Sequence, residues 1–171
     1  AVLRGRRGQP ATPIALHPEG AFAIGIEIGR RHIDVLLLDL HARVLAHRHR
    51  THEFRHADAL VDDMMAMLDE VRGALPVHLQ ARITDIGLAM PADISGDSSL
   101  AEDQRASWRE TDFAAELARR TGIEVSRFND GNAACWSELI AWPKPRPANF
   151  IYFLLSRFIA AGIVVDGTLW E

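Results

Sequence analysis

Apolar residues alternate with polar ones through the first patterned part of the chain. Isoleucine occupies every second position in the middle of residues 21–29, and residues 32–40 form a nearly continuous apolar run. Residues 43–49 follow after a short connection and can pair with that run. Strand-like segments joined by such short connections predict a meander of three antiparallel strands.

The apolar spacing then changes to a helical period. Residues 56–74 carry apolar side chains at intervals of three and four, and Pro76 lies just beyond them. This spacing predicts a helix whose buried face is formed by Leu60, Val61, Met64, Met65, Leu68, Val71 and Leu75. Residues 83–90 predict a buried strand that ends at Pro91.

The next segment combines a loop signal with a helix signal. Residues 91–110 include a glycine and a cluster of small polar residues, and they predict a loop. Thr111 is positioned to cap a helix over residues 112–121. Gly122 is positioned to end that helix at a left-handed C′ position.

The last part of the chain predicts a strand, a helix and a boundary. Residues 123–128 predict a short strand. Residues 131–141 predict a helix with an inward face of Ala133, Ala134, Trp136 and Leu139. The proline-rich stretch at 143–148 is the clearest boundary in the sequence. Two strand-like runs in residues 149–171 predict a hairpin, which needs a packing partner because isolated hairpins are only marginally stable.

The order of the predicted elements indicates the fold class. Three antiparallel strands followed by alternating helices and strands are typical of an α/β ribonuclease-H-like (actin-like ATPase) domain, with a mixed sheet covered by helices. We assign residues 21–142 to this domain, with residues 1–20 as an arm or linker. Residues 143–148 form a second linker, and residues 149–171 form the opening hairpin of an incomplete second subdomain.

Composition excludes several functional classes. The chain has 171 residues with a formal net charge of −4, so its body does not attract nucleic acid non-specifically. We interpret the cluster of Arg4, Arg6 and Arg7 as part of a solvated tail. The single cysteine, Cys135, excludes an internal disulfide and a thiolate zinc cluster, and it fits a reducing compartment. No run of 18 apolar residues occurs, so we expect no membrane span and a cytoplasmic location.

Several motifs, in the right order, resemble one known family. Residues 23–46 read AIGIEIGRRHIDVLLLDLHARVLA and resemble a first phosphate segment, and residues 150–170 resemble a second. Residues 85–95 (DIGLAMPADIS) are similar to the family's strand-to-loop segment, and residues 128–139 (FNDGNAACWSEL) to its Asn-Asp-x-Asn-Ala-Ala signature. Residues 5–29 are similar to the wing and linker of a repressor branch. The family is the ROK group of sugar kinases and sugar-responsive repressors.

The phosphate segments depart from the pattern of the family's kinases. Those kinases carry an acidic residue, two glycines and a threonine in the first loop, so that backbone amides can approach phosphate. Here the stretch reads Glu27-Ile28-Gly29-Arg30-Arg31-His32, so two bulky cations and a histidine replace the Gly-Thr portion. The second loop reads Ser156-Arg157-Phe158 before Ile159 and keeps only Gly162 of the glycine run. Because phosphoryl transfer depends on such positioning, we expect no kinase activity and no cofactor.

The Asn-Asp pair of the signature is retained. The resemblance implies that Asn129 and Asp130 contact a sugar, with Asp130 at the position of the kinase general base. An amide and a carboxylate together offer donors and acceptors to vicinal hydroxyls. The alternative is that Asp130 only caps the following helix. Further sugar contacts are expected in the preceding loop, at Pro91, Ala92 and Ser98, with Asp97 and Ser99 beside them, and Trp108 could stack on a sugar or pack in the core.

Two other sets of residues suggest metal chemistry. His47 and His49 share one face of a predicted strand, but no carboxylate or cysteine pattern accompanies them, so we expect an exposed edge and no metal. Glu27, Asp39 and Asp130 could form the carboxylate cluster of a two-metal nuclease. The acidic net charge and the lack of a basic groove argue against that function.

The resemblance therefore implies the sensor portion of a transcriptional regulator. It would bind a small carbohydrate effector without phosphorylating it, and it would reach DNA only through a winged helix-turn-helix domain outside this sequence. We expect a homodimer. The alternatives are a divergent ATP-dependent sugar kinase and a stand-alone dimerisation module.

Overall fold

A computed structural model describes residues 13–53, 56–92, 100–155 and 159–170. Within this part of the chain, five strands form one sheet in the order β3-β2-β1-β4-β5, and three more form a second sheet in the order β6-β7-β8. The elements are β1 (Phe22–Ile28), β2 (His32–Asp39), β3 (Val44–Thr51), α1 (Ala57–Arg72), α2 (Val77–Gln80), β4 (Ile83–Met90), α3 (Glu102–Glu110), α4 (Phe113–Thr121), β5 (Glu124–Asn129), α5 (Asp130–Ala141), β6 (Phe150–Leu155), β7 (Ile159–Val165) and β8 (Thr168–Trp170).

The predicted meander of three strands is confirmed. β1 pairs antiparallel with β2, and β2 pairs antiparallel with β3. β1 also pairs in parallel with β4, and β4 in parallel with β5. The result is a mixed sheet with helices over its apolar face, which is the predicted ribonuclease-H-like arrangement.

Alternation along the strands determines which face is buried. Ile26 is buried on the same face as Val35, its partner in the register of β1 and β2, whereas Glu27 and its partner Asp34 lie on the opposite face. The buried face packs against α1, whose core positions include Met64 as predicted. Burial of these aliphatic side chains is the main favourable contribution to folding.

The predicted loop over 91–110 is wrong in its second half, because α3 occupies Glu102–Glu110. The helix is strongly polar and buries only Trp108 among its own residues, so it carries little apolar periodicity. Its Ser107 hydroxyl oxygen accepts a hydrogen bond from the backbone amide of Ala57 at 2.7 Å. That contact satisfies an amide at the start of α1, where the N-cap residue His56 makes no side-chain cap hydrogen bond.

The predicted cap of the next helix is displaced by one residue. Asp112 is the N-cap of α4, and its Oδ1 accepts from the amide of Ala115 at 3.0 Å. The Thr111 hydroxyl instead donates to the carbonyl oxygen of Ser107 at 2.8 Å. The predicted end of the helix is confirmed, since Gly122 has φ = 70° in the left-handed region.

The second sheet packs against α5. Cys135 and Leu139 of α5 and Val164 of β7 form a small core there. The predicted inward position of Trp136 is wrong, because its side chain is 43% exposed. The two predicted strand runs correspond to β6 and β7, and the short β8 adds a third strand. In the described part of the chain, none of the helices is long and apolar enough to cross a membrane.

Candidate functional site

The carboxyl ends of the parallel strands bring Pro91 and Asn129, two of the predicted sugar-binding residues, to the same end of the sheet. Glu27 near the end of β1 is in register with Ala89 of β4, and Met90 is in register with Asn129 of β5. Pro91 follows Met90 directly. In open α/β sheets the carboxyl ends of the strands are the usual place for ligand binding.

Asn129 caps α5. Its side-chain Oδ1 accepts hydrogen bonds from the amides of Gly131 at 3.0 Å and Asn132 at 3.3 Å. Asp130 is the first residue of the helix, and its Oδ1 accepts from the Gly131 amide at 2.8 Å. The alternative that Asp130 is the cap is therefore corrected: the strand-terminal asparagine performs that function, and the aspartate lies one residue inside the helix.

The cap uses only part of the hydrogen-bonding capacity of this pair. The bonds of Asn129 to the helix are made by its amide oxygen, and the Nδ2 group adds two donors. Both Asn129 and Asp130 are half-buried. A capping role and contact with a ligand are thus chemically compatible at this strand end.

The turn between β1 and β2 is closed by a backbone hydrogen bond and is contacted by two histidine side chains. The amide of Gly29 donates to the carbonyl oxygen of His32 at 2.9 Å. The carbonyl oxygen of Gly29 accepts from Nε2 of His52 at 3.2 Å. The His32 ring lies over Gly29 so closely that a Cβ at Gly29 would overlap it. Arg30 and Arg31 complete this hairpin turn.

His52 is buried beneath this turn. Desolvation lowers the pKa of its imidazole, and the bond to the Gly29 carbonyl opposes part of that shift. Its ring centroid lies 6.2 Å from that of Trp108. A neutral imidazole therefore supports the turn from the core side. The sequence contained no signal for this role, because His52 belongs to a run rich in histidine and arginine.

Gly162 lies within β7, where it allows close contact with α5. A Cβ at Gly162 would overlap Cβ of Cys135 and would lie 2.9 Å from the carbonyl oxygen of Gly131. Gly131 has a matching role, since a Cβ there would lie 3.1 Å from Cβ of Ala160. Burial raises the pKa of the Cys135 thiol, which keeps the thiol protonated in this packed interface.

Of the other predicted site residues, Trp108 lies in the core, and several lie outside the residues that the structure describes. Trp108 is 5% exposed, and its ring centroid lies 5.4 Å from that of Phe113 in an edge-to-face contact. Trp108 is therefore a core residue, so of its two predicted roles the structure supports packing. Ser98, with Asp97 and Ser99, lies outside the described residues, as do Ser156 and Phe158.

The carboxylates of the nuclease hypothesis are not gathered at one place. Asp39 is in register with Phe22 at the first residue of β1, five residues before Glu27. That separation is roughly 17 Å along the strand. Asp39 instead stabilises the turn after β2, because its Oδ1 accepts from the amides of His41 at 2.8 Å and Arg43 at 3.0 Å.

The sequence shows no carboxylate pattern around His47 and His49, but the structure places one carboxylate beside them. Asp34 of the neighbouring strand β2 lies between them and accepts hydrogen bonds from both rings. The two histidines do share an exposed face of β3, the edge strand, as predicted. Sequence reasoning missed Asp34 because the contact depends on the register of two strands rather than on spacing along one.

Comparison with protein families gives one match over most of the chain. The profile described as "ROK family" matches residues 23–171. The xylose repressor of Bacillus subtilis is 21% identical over 164 residues, which cover 96% of this chain and 42% of that protein. The chain thus spans less than half the length of the curated relatives it matches.

Solved structures with the same fold include both kinases and a regulator. A ROK family glucokinase from Streptomyces griseus, in complex with glucose and AMPPNP, matches with a TM-score of 0.69 and 20% identity over 88% of this chain and 46% of that chain. A ROK family transcriptional regulator, a homolog of the E. coli MLC protein, matches with a TM-score of 0.67 and 19% identity over 88% of this chain and 38% of that chain. At such identities, the likeness establishes the fold.

Proposed function

This chain belongs to the ROK family, and from that premise we propose that it is the sensor portion of a transcriptional regulator, which binds a small carbohydrate without phosphorylating it. The observation that carries the proposal is the His32 ring over Gly29. In the family's kinases a glycine-rich loop of this kind lets backbone amides reach phosphate. Here an imidazole lies so close to this glycine that an added Cβ would overlap it, and we expect the ring to hinder the approach of a phosphate.

The surroundings of this turn also disfavour a nucleotide phosphate. Glu27 contacts the ring in this position, since its Oε1 lies 3.4 Å from Nε2 of His32. Gly162, which remains from the glycine run of the second segment, packs closely against Cys135. Positioning and electrostatic stabilisation supply most of the catalysis of phosphoryl transfer. A chain in which side chains crowd both phosphate segments, at Gly29 and at Gly162, would lack that catalysis.

The sugar-binding part of the proposal rests on Asn129 and Asp130. Both are half-buried at the carboxyl end of the parallel strands. The side chains of both accept a hydrogen bond from the Gly131 amide in the first turn of α5. A carboxylate accepts and an amide donates, which matches two neighbouring sugar hydroxyls. Pro91 and Ala92 follow the adjacent strand and would line the same site.

The regulatory part of the proposal rests on the named relatives. One curated relative is a xylose repressor, and one structural neighbour is a transcriptional regulator. A sugar bound here would act on DNA through a separate winged helix-turn-helix domain, with residues 1–20 as the connecting arm. Residues 21–142 would form the sensor subdomain, and residues 149–171 would begin a second one.

Titration calorimetry of the full chain with D-xylose and with D-glucose tests the sensor function. We expect saturable binding of one sugar, weakened roughly tenfold or more in Asp130→Asn, because hydrogen bonds to charged groups contribute about 1.5–3 kcal/mol. Asp58→Asn, in the first turn of α1, is the matched control and should bind normally. No saturable heat with either sugar would contradict the proposal.

The kinase alternative is favoured by the retained Asp130 and by the glucokinase neighbour. Incubation of the full chain with ATP, Mg²⁺ and D-glucose, followed by phosphorus NMR, distinguishes the two functions. The sensor proposal predicts no sugar phosphate above the no-protein control. Formation of sugar phosphate that Asp130→Asn abolishes would establish the kinase instead.

We further propose that the chain self-associates through the outer face of its second sheet, defined by Ile151, Phe153, Leu155, Ile159 and Trp170. All of these apolar side chains are exposed. An apolar face of this kind commonly marks an interaction surface. The same face would serve a stand-alone dimerisation module, whose distinguishing sign is a dimer that no sugar affects.

A further inference from the structure

Polar side chains with metal-ligating atoms form a cluster on the face of the main sheet opposite α1. Three adjacent strands contribute to one row, because Glu27 of β1 is in register with Asp34 of β2, and Asp34 with His49 of β3. His32 lies two residues before Asp34 on the same face, and His47 lies two residues before His49. The register of the meander thus gathers a group that is dispersed over 23 positions, from residue 27 to residue 49.

Asp34 is at the centre of the cluster. Its Oδ1 accepts from Nε2 of His47 at 2.6 Å and from Nδ1 of His49 at 3.0 Å. Its Oδ2 lies 3.7 Å from Nε2 of His32, and that nitrogen lies 3.4 Å from Oε1 of Glu27. One ligand atom from each of Glu27, His32 and Asp34 lies within 4.8 Å of the other two.

The electrostatics of the cluster favour an ionised carboxylate at its centre. Partial burial by itself raises the pKa of Asp34, but hydrogen bonds from His47 and His49 outweigh this effect, and the pKa lies below its usual value. The His32 and His49 rings are stacked, with centroids 5.8 Å apart. Two carboxylates and three imidazoles therefore lie in one small area of the sheet surface.

We propose that this cluster binds one divalent transition-metal ion through Glu27, His32 and Asp34. Nitrogen and oxygen donors together suit ions such as Zn²⁺, Co²⁺ or Ni²⁺, whereas Mg²⁺ and Ca²⁺ prefer oxygen ligands alone. Around a tetrahedral Zn²⁺ at about 2.0–2.1 Å, ligand atoms lie roughly 3.3 Å apart. The 3.4 Å and 3.7 Å separations at His32 are close to that spacing.

His47 and His49 complete the site as positioning residues. His47 bonds Oδ1 of Asp34, and Nδ1 of His49 lies 3.0 Å from Oδ1 and 3.1 Å from Oδ2 of the same carboxylate. Oδ2 is also the oxygen that lies 3.7 Å from Nε2 of His32. Outer hydrogen bonds of this type orient a ligating carboxylate and tune its basicity. The three protein ligands leave a fourth position for water. The bound ion would connect the β1–β2 hairpin and, through the histidines, the edge strand β3, and it would fix the His32 ring over Gly29.

Titration of the full chain, freed of metal by chelation, with Zn²⁺ alone tests the proposal by calorimetry. We expect binding of one ion per chain, and affinity at least tenfold weaker in His32→Ala and in Asp34→Asn. His78→Ala, an exposed histidine of α2, is the matched control and should leave affinity unchanged. Equal affinities for the wild type and both cluster variants would overturn the proposal.

Two further measurements keep the test independent of folding and of sugar binding. Circular dichroism without metal should show that both cluster variants are folded, and Co²⁺ should give a visible absorption band that His32→Ala loses. A band retained by His32→Ala would overturn the assignment of the ligands. Neither measurement uses a sugar, so failure of the sensor proposal leaves this result unaffected.

Discussion

Substitution of Asn129 separates its two proposed roles, as helix cap and as sugar contact. Asn129→Ala removes the Oδ1 that accepts from the amides of Gly131 and Asn132. Loss of such a cap costs about 1 kcal/mol of unfolding free energy. Asn129→Ser keeps a capping oxygen and should restore most of that stability, because serine and asparagine are similar at this position.

Sugar affinity is expected to follow a different pattern. Both variants lack the Nδ2 donors, and a neutral hydrogen bond contributes about 0.5–1.5 kcal/mol. Binding should therefore weaken between about twofold and tenfold in Asn129→Ala and in Asn129→Ser alike. Stability thus distinguishes the two variants, and affinity does not.

Stability is measured by thermal unfolding followed by circular dichroism. Affinity is measured by calorimetric titration with the sugar that binds the wild type. For a chain of this length, 1 kcal/mol corresponds to a shift in Tm of about 2–4 °C, which thermal unfolding resolves. If Asn129→Ser recovers both stability and wild-type affinity, Asn129 is a cap only. If Asn129→Ala leaves stability unchanged, the capping argument is refuted.

Other predictions concern packing, pH and association. Gly162→Ala should lower the free energy of unfolding by about 1–3 kcal/mol in urea, because the new Cβ overlaps that of Cys135. The lowered pKa of buried His52 means that the unfolded chain takes up its proton first as pH falls. Stability should therefore decrease below about pH 6.5, and His52→Gln should flatten this part of the pH profile. Phe153→Lys should weaken self-association in analytical ultracentrifugation, because it charges an exposed apolar face.

Each of these predictions has a control in the same chain. Gly25→Ala should be nearly neutral, since a Cβ there meets nothing within 4 Å. His78→Gln should leave the pH profile unchanged, because His78 is exposed. Val77→Lys replaces an exposed apolar residue of α2 and should not alter association. If a variant and its control change stability, the pH profile or self-association equally, the structural explanation given for that variant is wrong.

Local patterns in the sequence were sufficient for most elements of the fold. The alternation in residues 21–49 predicted the meander, and the helical spacing in residues 56–74 predicted α1, because each pattern reports one face turned toward a core. Helix α3 was missed since its polar surface leaves only Trp108 as an apolar anchor. The N-cap at Asp112 instead of Thr111 is an error of one residue, which local signals do not resolve.

The candidate site depended more strongly on tertiary structure. The motif in residues 128–139 was visible in the sequence, but only the structure showed that Asn129 caps α5. Register between β2 and β3 decided that Asp34 meets His47 and His49, and no spacing along a single strand encodes that register. Close packing of β7 on α5 gave Gly162 its role. The sequence by itself determined which residues face a core, because burial is periodic along each element. Contacts between elements were decided only by the tertiary structure, because they depend on how the strands and helices are assembled.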